Sequence, residues 1–408
     1  MKLIFDREKF ISAVKWTNSI LDKGHLGKDD GNEDFSSIRI KPVDKGRVRF
    51  SSYSANTSER TILVDADIED PIQYESGYLA LELAASALSR LPAQITSDKV
   101  VLSYDTDHNA SKAFADVGLR VTLPVLSSQE QSKPVTTNEG ATHIGDFSAD
   151  ELSSTLTMLS CIPENSQSAT PMTMSIDFRP DPEDDSKMNL MATDTFTLSI
   201  RSIDYKRFYK DGEFKPIAIP LSDLNSMFDS DSHGIVSMYL DNVDDRYILF
   251  SFDDDKTSKI NRMDVPALND KTYQSMIVPD RDQYFDMDYE TIYNAIHRLG
   301  MWNKDDIICL DLNKEAQSLD IHTQDNSWNT TIPVSNVNVD KDTYHVEFTY
   351  SNIYKPLKSM NYPEVRYMLE DGGTNVIVWK QLKSDDTADD STYIISTFSA
   401  AANDEDES

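Results

Sequence analysis

The chain has 408 residues, which is room for roughly two to four domains with ordinary cores. It carries 39 Lys and Arg against 70 Asp and Glu, a formal net charge of −31, which argues against nucleic-acid binding through a broadly basic surface. There is no stretch of roughly 18 apolar residues and no N-terminal signal pattern, so we expect a soluble, cytoplasmic protein. Cys161 and Cys309 lie in apolar segments, which favours buried, reduced thiols.

A short pattern that opens a helix occurs three times. In each copy a capping residue precedes acidic positions, which suit the free N–H groups and the positive end of the helix dipole. Apolar pairs follow at helical spacing, with offsets of 142 and then 140 residues, so one face of each helix should be buried. The capping residues are Asp6, Ser148 and Asp288, and the apolar pairs are Phe10 and Val14, Leu152 and Leu156, and Ile292 and Ile296.

A second helix is predicted in each third of the chain, over Leu83–Leu88, Asp223–Phe228 and Asn352–Leu357. We align Leu88 with Phe228 and Leu357, at offsets of 140 and 129 residues. Proline lacks an N–H donor, so Pro356 should weaken the last of these helices. Runs rich in β-branched residues predict strands around the helices, at Met188–Thr193, Phe196–Ile200, Val376–Trp379 and Tyr393–Ile395.

The repeat period is the size of a domain, so we predict an α+β protein with three repeated domains. Polar residues after Leu126 favour a linker between the first two domains, and Pro279–Asp282 favours a tight join before the third. The predicted boundaries are 1–127 for the first domain, 128–142 for the linker, 143–280 for the second domain, and 281–408 for the third domain with its acidic tail.

Acidic and basic residues are distributed differently. Acidic clusters such as Asp181–Asp185, Asp253–Asp255 and Asp404–Glu407 fall in predicted turns and at the C-terminus. Basic residues fall on predicted helices of the first and third repeats, whereas the middle repeat's helices have none. Taken alone, this pattern also fits ordinary solvated helix faces. The helix-borne basic residues are Arg7, Lys9, Lys15, Arg90, Arg298, Lys355 and Lys358.

The sequence contains little that predicts catalysis. Phosphate-loop, dinucleotide-binding, zinc-protease and nucleophile-elbow motifs do not occur. His345-Val346-Glu347 has the His-x-Glu spacing of zinc deaminases, but no paired cysteines follow and the alternation predicts a strand. Asp105–Asp107 and Asp241–Asp245 are interpreted as solvated turns. We therefore predict no enzymatic activity, no cofactor and no metal site.

Several segments, in order along the whole chain, resemble the bacterial DNA polymerase sliding clamp, the beta subunit of DNA polymerase III. Ala192–Leu198 is similar to that family's Ala-Thr-Asp-Gly-His-Arg-Leu signature. The other segments that carry the resemblance are Met1–Phe10, Leu123–Leu126, Ile219–Leu221, Tyr273 with Val278–Pro279, Val346–Phe348 and Val365–Leu369.

The resemblance implies a ring of two head-to-tail subunits, with helices facing a central hole that encircles double-stranded DNA and sheets forming an outer wall. Contacts to phosphate carry no sequence information, so such a ring slides. An acidic wall with a few cations in the hole reconciles the net charge with DNA binding. The resemblance implies that the seven helix-borne basic residues face the hole. It also implies a homodimer with a DNA polymerase and a clamp loader as partners.

The resemblance further implies a peptide-binding groove between the middle and last domains. Its wall would consist of Met172, Thr193, Thr195, Phe196, Thr197, Leu198, Met276, Ile394, Ile395 and Phe398. The chain departs from the family at two places in this groove. Thr195-Phe196-Thr197 replaces Gly-His-Arg, and Ser396–Ser399 with an acidic extension replaces the usual C-terminal ending. These departures predict an altered peptide preference and suit a phage or mobile-element clamp.

Two other function classes remain open from the sequence. One is an acidic protein-interaction scaffold with three α+β repeats that does not encircle DNA. The other is an enzyme that uses one of the carboxylate clusters. Neither explains why the unit is triplicated.

Overall fold

The computed structural model of the chain describes residues 1–21, 37–54, 58–75, 77–106, 111–129, 138–162, 171–194, 197–210, 214–228, 232–242, 244–253, 255–263, 282–302, 307–360, 362–369, 376–382 and 388–396. Of these, 127–129, 171–172, 376–377 and 388–396 are described by their backbone alone.

The chain divides into two compact units. The first comprises Met1–Asp150, Lys206–Phe214 and Ser222–Arg262, and the second comprises Glu151–Tyr205, Lys215–Leu221 and Met263–Ser408. The predicted middle domain is therefore shared between the two units, and the domain boundaries inferred from the repeat stay a prediction.

Within the described residues, a strand, a helix and three further strands follow one another six times, twice in each predicted domain. The first repeat contains β1 Lys2–Asp6, α1 Arg7–Asn18, β2 Ser37–Pro42, β3 Arg47–Tyr53, β4 Glu59–Glu69, a hairpin of β5 Gln73–Tyr74 and β6 Gly77–Tyr78, β7 Ala80–Ala84, α2 Ala85–Leu88, β8 Lys99–Tyr104, β9 Lys112–Asp116 and β10 Arg120–Gln129. The second contains β11 Thr142–Ser148, α3 Ala149–Leu159, β12 Ser175–Pro180, β13 Lys187–Thr193, β14 Thr197–Arg207, β15 Ile217–Pro220, α4 Leu221–Asn225, β16 Ile235–Leu240, β17 Tyr247–Phe252 and β18 Lys256–Asn261.

The third repeat follows the same order. It contains β19 Gln283–Asp288, α5 Tyr289–Trp302, β20 Ile307–Asn313, β21 Ser318–Thr323, β22 Asn329–Pro333, β23 Ser335–Asn338, β24 Thr343–Thr349, α6 Tyr350–Lys358, β25 Glu364–Leu369, β26 Val376–Leu382 and β27 Ala388–Ser396. The predicted α+β class and the predicted strands are confirmed. Two short 3₁₀ helices, Pro92–Gln94 and Pro171–Met174, complete the described elements.

The predicted first helices of the three repeats are confirmed, as are their offsets. α1, α3 and α5 begin directly after β1, β11 and β19, and all six predicted apolar residues are at most 1% exposed. The Asp6 carboxylate accepts the backbone N–H groups of Glu8 at 2.9 Å and Lys9 at 3.2 Å, and Asp288 accepts that of Thr291 at 2.8 Å. A side-chain acceptor at this position satisfies donors that the helix itself leaves unpaired.

The predicted register of the second helices is wrong. α4 ends at Asn225, and Phe228 lies beyond it and is only half-buried. The fourth residues of α2, α4 and α6 are Leu88, Leu224 and Ile353, and each is fully buried. The helices therefore correspond at offsets of 136 and 129 residues. In the middle repeat, Leu224 and Phe228 lie one turn apart and both could have been the buried residue. Only the position of the preceding strand distinguishes them.

The helix α6 continues through Pro356, so the expected weakening does not end it. Pro356 lies in the last turn of the helix, so its missing N–H removes a hydrogen bond near the end, where few residues follow.

Gly300 of α5 lies against the Tyr350 ring of α6, where an added Cβ would fall 2.1 Å from a ring carbon. A larger residue at position 300 would therefore require the Tyr350 ring to move.

Two strand pairings connect neighbouring repeats, one within each compact unit. In the first unit β4 pairs antiparallel with β18, from Lys256 opposite Ile62 to Lys259 opposite Glu59. In the second unit β14 pairs antiparallel with β27, with Leu198 opposite Ile394. In both, the third strand after the first helix of one repeat pairs with the last strand of the next. We call β4–β18 the first joint and β14–β27 the second joint.

Two strands occupy positions equivalent to those in the joints but do not form a joint within the chain. Among the described residues, both have an unpaired edge. The third strand after the helix α5, β22, pairs with β21 alone. In the last strand of the first repeat, β10, residues Arg120–Pro124 pair with β9 alone. Both five-residue segments have the same order of exposed, half-buried and buried positions, and both end at proline. The strand β10 runs to Gln129, so the predicted linker's first two residues belong to a strand, while 130–137 lie outside the described residues.

The carboxylates of the acidic turn 241–245 pair with neighbouring cations. The Asp241 carboxylate lies 3.2 Å from the Lys259 ammonium, and Asp244 pairs with Arg246 at 2.5 Å. A side-chain hydrogen bond from Arg246 lowers the pKa of Asp244 to about 2. No described helix is long and apolar enough to cross a membrane.

Candidate functional site

The helix α1 presents cations opposite its buried face. Phe10, Ala13 and Val14 pack into the core, while Arg7 and Lys15 are exposed. Neither Arg7 nor Lys15 makes an ion pair with a described residue. Lys9 is also exposed, but its ammonium lies 2.6 Å from the Asp65 carboxylate. This pair raises the pKa of Lys9. Arg7 and Lys15 thus remain available to an external anion.

The remaining predicted cations behave in two ways. Arg90, Arg298 and Lys358 are exposed and form no ion pair within the described part of the chain. Lys355 is half-buried, and its ammonium bonds to the Asp194 carboxylate and to the Ile162 carbonyl oxygen at 3.4 Å. The charge of Lys355 is therefore compensated inside the protein, unlike that of the other three.

Lys355 holds the turn that follows β13. Asp194 is only 3% exposed, and its carboxylate accepts the backbone N–H of Thr197 at 2.7 Å. The Asp194 N–H in turn donates to the Thr197 carbonyl at 3.1 Å. The signature segment therefore runs from the end of β13, with Ala192 and Thr193, into this turn at Asp194. A lysine predicted to face DNA therefore links the signature turn to α6.

The second joint brings together part of the predicted groove. Leu198 is 6% exposed and packs in an apolar cluster, Thr197 is buried, and Thr193 is half-buried. The backbone register places Thr197 opposite Ile395 and Leu198 opposite Ile394. Met172, Ile394 and Ile395 are described by backbone alone. Thr195, Phe196, Met276 and Phe398 lie outside the described residues.

The apolar cluster at the second joint contains residues that were not predicted. Met191 and Ile200 join Leu198 from the middle repeat, and Met368 and Val378 come from the third. Tyr284 packs against them. Met191, Ile200 and Val378 lie in strands that the sequence predicted. Their convergence depends on the β14–β27 pairing, which no local pattern predicts.

The first joint contains a buried cation that the sequence did not reveal. Arg60 is fully buried and donates to the carbonyl oxygens of Ser226 and Asp223, the latter at 3.1 Å. It also donates to the Ser226 hydroxyl at 2.7 Å, and its guanidinium lies 4.7 Å from the Trp16 ring centroid. Burial lowers the pKa of Arg60 to about 9, which leaves it charged at neutral pH.

One cluster of described side chains has the chemistry of metal ligands. Cys309, His345 and Glu347 place one ligand atom each within 4.8 Å of the others, on the sheet of β20 and β24. The predicted strand at His345-Val346-Glu347 is confirmed, because β24 spans Thr343–Thr349.

Solved structures of bacterial clamps match almost the whole chain. The DNA polymerase III subunit beta from Pseudomonas aeruginosa matches with a TM-score of 0.77 at 14% identity, covering 98% of this chain and 100% of that one. The chain has the sliding-clamp fold. The sliding clamp from Caulobacter crescentus matches at 0.76 with 15% identity, covering 98% of this chain and 100% of its own. The Bacillus subtilis clamp matches at 0.76 with 14% identity, covering 98% and 99%.

Sequence comparison detects none of this likeness. No family model matches the chain, and no curated protein matches it. The likeness therefore lies in the backbone fold, whereas the sequence identity to these solved clamps is only 14% to 15%. The predicted fold is confirmed over the whole chain, while the roles of individual site residues stay predictions.

Proposed function

We propose that this chain is a DNA sliding clamp, a ring-shaped processivity factor that encircles duplex DNA and tethers the replicative polymerase. The observation that carries the proposal is the whole-chain match to bacterial clamps at a TM-score of 0.77. A chain that shares the fold from end to end retains all three repeats that a two-subunit, six-part ring would need. The protein would act in the cytoplasm and catalyse no reaction itself.

The repeated joints support closure into a ring of two copies. Within the chain, the third strand after the first helix of one repeat pairs with the last strand of the next at both joints. The same rule applied once more pairs Asn329–Pro333 of one copy with Arg120–Pro124 of another. Exposed edge strands normally carry charges or bulges that block further pairing. Asn329–Pro333 contains no charged residue, so it suits a partner strand.

Apolar side chains support the same intermolecular joint. At the first joint, Trp16 of α1 packs against Phe252 of β17, with ring centroids 5.3 Å apart. The related end of α5 carries Met301 and Trp302, which are 70% and 67% exposed. In a homodimer they would pack against the half-buried Phe114 region of β9 from the other copy. Exposed apolar pairs of this size favour an interface.

The dimer can be tested by mass. The wild-type protein is expected at about twice the chain mass of 46.1 kDa. Trp302→Asp should shift the population to monomer, because a charge would be buried at the contact. The matched control is Ile235→Asp, which alters an exposed apolar residue outside the proposed joint and should leave the dimer intact. Dimers of equal stability in both variants would contradict the proposed joint.

The exposed cations on or beside the helices are the proposed DNA contacts. Arg90, which was predicted on a helix, lies two residues beyond the end of α2. Arg7, Lys15 and Arg90 lie in the first repeat, and Arg298 and Lys358 in the third. Their contacts would be to phosphates, which position the ring without reading sequence. Topology, not affinity, would then hold the acidic protein on DNA. Lys355 is a weaker candidate, because Asp194 compensates its charge.

Loading onto DNA tests the function directly. A compatible clamp loader and ATP would be used to load the protein onto nicked circular plasmid. Retention at high salt followed by release on linearisation is expected, because an encircling ring does not depend on phosphate contacts. Loss of the protein at high salt from intact circles, with a loader proven on another clamp, would contradict the proposal and restore the scaffold interpretation.

The groove beside the second joint is the proposed site for short peptides of the polymerase and the clamp loader. Leu198 and its apolar neighbours would anchor such a peptide, with the half-buried Thr193 at the rim. Thr195-Phe196-Thr197 in place of the basic signature predicts a peptide preference different from that of the clamps with Gly-His-Arg.

Peptide titration tests the groove. Labelled C-terminal peptides of polymerases would be titrated against the wild type, Leu198→Asp and Leu198→Ala. Both variants should bind at least tenfold more weakly, with Leu198→Ala as the version that perturbs folding less. Leu123→Ala, which removes a buried leucine of the first repeat, is the matched control for lost stability. Equal affinity across all four proteins would remove the groove assignment.

A further inference from the structure

The sheet of β22, β21, β20 and β24 has two chemically different faces. Along β20, Ile308, Leu310 and Leu312 enter the core of the third repeat. The alternate positions Cys309 and Asp311 therefore belong to the opposite face. On the neighbouring strand β24, Glu347 pairs with Cys309, and His345 pairs with Asp311. The strand pairing thus places a thiol, an imidazole and two carboxylates side by side.

Three of these side chains bring their ligand atoms close together. His345 Nε2 lies 3.3 Å from Glu347 Oε1, and Cys309 Sγ lies 4.0 Å from the same oxygen. All three ligand atoms fall within 4.8 Å of one another. Ligands around a tetrahedral Zn²⁺ ion are separated by about 3.4 to 3.6 Å, from Zn–S near 2.3 Å and Zn–N or Zn–O near 2.1 Å. Small rotamer adjustments would bring the three atoms to those separations.

Asp311 orients the imidazole for this role. The His345 Nδ1 atom lies 2.6 Å from Asp311 Oδ1, so the Nδ1–H donates to the carboxylate. A bound metal ion would take the place of any proton on Nε2, which faces Glu347. Metal-binding histidines usually have such a carboxylate partner on the second ring nitrogen. The other oxygen of Asp311 lies 2.8 Å from His322 Nε2, which fixes the carboxylate in turn.

We propose that Cys309, His345 and Glu347 bind a divalent transition-metal ion, Zn²⁺ by ligand chemistry, with Asp311 as the positioning residue. Thiolate and imidazole ligands favour Zn²⁺ over Mg²⁺ or Ca²⁺, which prefer sets made only of oxygen. Three protein ligands leave the fourth position to water. The site is independent of the proposed clamp function, because neither joint nor the helix cations contribute to it.

The site was missed in the sequence because its ligands are not adjacent. His345 and Glu347 show a two-residue spacing that a strand places on one face, but the expected cysteine pair does not follow them. The thiol comes from β20, which precedes β24 in the chain and pairs with it. A single cysteine far upstream carries no local signal.

Cobalt substitution provides the decisive test. The full-length protein, stripped with chelator, would be titrated with Co²⁺ and followed by absorbance. One Co²⁺ per chain is expected, with a sulfur-to-cobalt charge-transfer band and the visible bands of tetrahedral coordination, and Zn²⁺ should abolish both. A titration of the wild type that yields no charge-transfer band would overturn the proposal, whatever the variants do.

Four variants assign the ligands. Cys309→Ser should lose the charge-transfer band, whereas Cys161→Ser, which changes the other cysteine, should retain it. His345→Gln alters an exposed side chain and should weaken Zn²⁺ binding without unfolding the protein, as circular dichroism would verify. Asp311→Asn should weaken it about 10- to 100-fold while the band persists, because the thiolate ligand remains. If Cys309→Ser and His345→Gln both bound Zn²⁺ with unchanged affinity, these side chains would form a hydrogen-bonded network that binds no metal.

Discussion

The two joints share a strand arrangement and differ in the side chains that surround it. At the first joint, the buried Arg60 guanidinium donates to two carbonyl groups and stacks on Trp16. At the second joint, Leu198 and Ile200 pack with Met368 and Val378. Arginine donors have a fixed geometry, whereas an apolar cluster tolerates changes of shape and size.

The difference teaches where the chain can vary. A joint that depends on hydrogen bonds from one guanidinium requires particular acceptors at particular positions. A joint formed by aliphatic and methionine side chains can change its surface and remain closed. The proposed peptide groove lies at the second joint, where a change in binding preference is compatible with unchanged strand pairing.

The largest expected effect is that of Arg60→Met. The Ser226 and Asp223 carbonyls would lose a donor, and the cation–π contact with Trp16 would disappear, at a cost of about 3 to 5 kcal/mol in the free energy of unfolding. Urea titration followed by fluorescence would measure it. Arg47→Met, which removes an exposed ion pair with Asp44, is the control and should cost less than about 1 kcal/mol. Similar losses in both variants would show that the first joint has no special dependence on Arg60.

A smaller loss is expected for Lys355→Met at the turn beside the second joint. Asp194 is buried and would lose its cationic partner, which should cost about 1.5 to 3 kcal/mol. Lys358→Met, one turn further along α6 and exposed, should change stability by less than about 0.5 kcal/mol. A loss for Lys355→Met that equals that of Arg60→Met would erase the distinction between the joints.

The smallest expected effect concerns pH. Burial raises the pKa of Asp223, and Arg60 opposes this shift. A carboxyl group with a raised pKa in the folded protein retains its proton longer than in the unfolded chain. Its contribution to stability is therefore lost as the pH rises from its ordinary value near 3.8 through the raised pKa. Asp223→Asn should reduce the pH dependence of the free energy of unfolding over that range, and Arg60→Met should increase it. Denaturant titrations upward from about pH 4 would measure both slopes.

The fold was largely predictable, because each first helix has its own cap and its own apolar pair. Asp6 with Phe10 and Asp288 with Ile292 define both the start and the buried face of a helix within a few residues. The second helices were less predictable. Leu224 and Phe228 are both apolar and one turn apart, so the sequence alone could not decide which of them is buried.

The candidate site was predictable only where it depends on local sequence. The signature segment predicted Thr193, Thr197 and Leu198, which lie beside the second joint, and the helix pattern predicted Arg298, which is exposed. The pairing of Lys355 with Asp194 joins residues from two different repeats. Such a contact depends on the tertiary arrangement, as does the neighbouring position of Cys309 and Glu347. The presence of a basic residue on a predicted helix therefore could not show whether its charge is exposed or is paired with a buried carboxylate.

The proline that ends each unpaired edge segment has a mechanical consequence for the proposed ring. Pro124 and Pro333 lack an N–H donor, so they limit the backbone ladder that two copies can form. By two-fold symmetry the ring would contain two of these contacts between the copies, which we call seams. If one seam opens, the copies remain connected through the other. The gap would then reclose at a high effective concentration that does not depend on how dilute the protein is. A short seam can thus admit DNA without dissociation of the dimer.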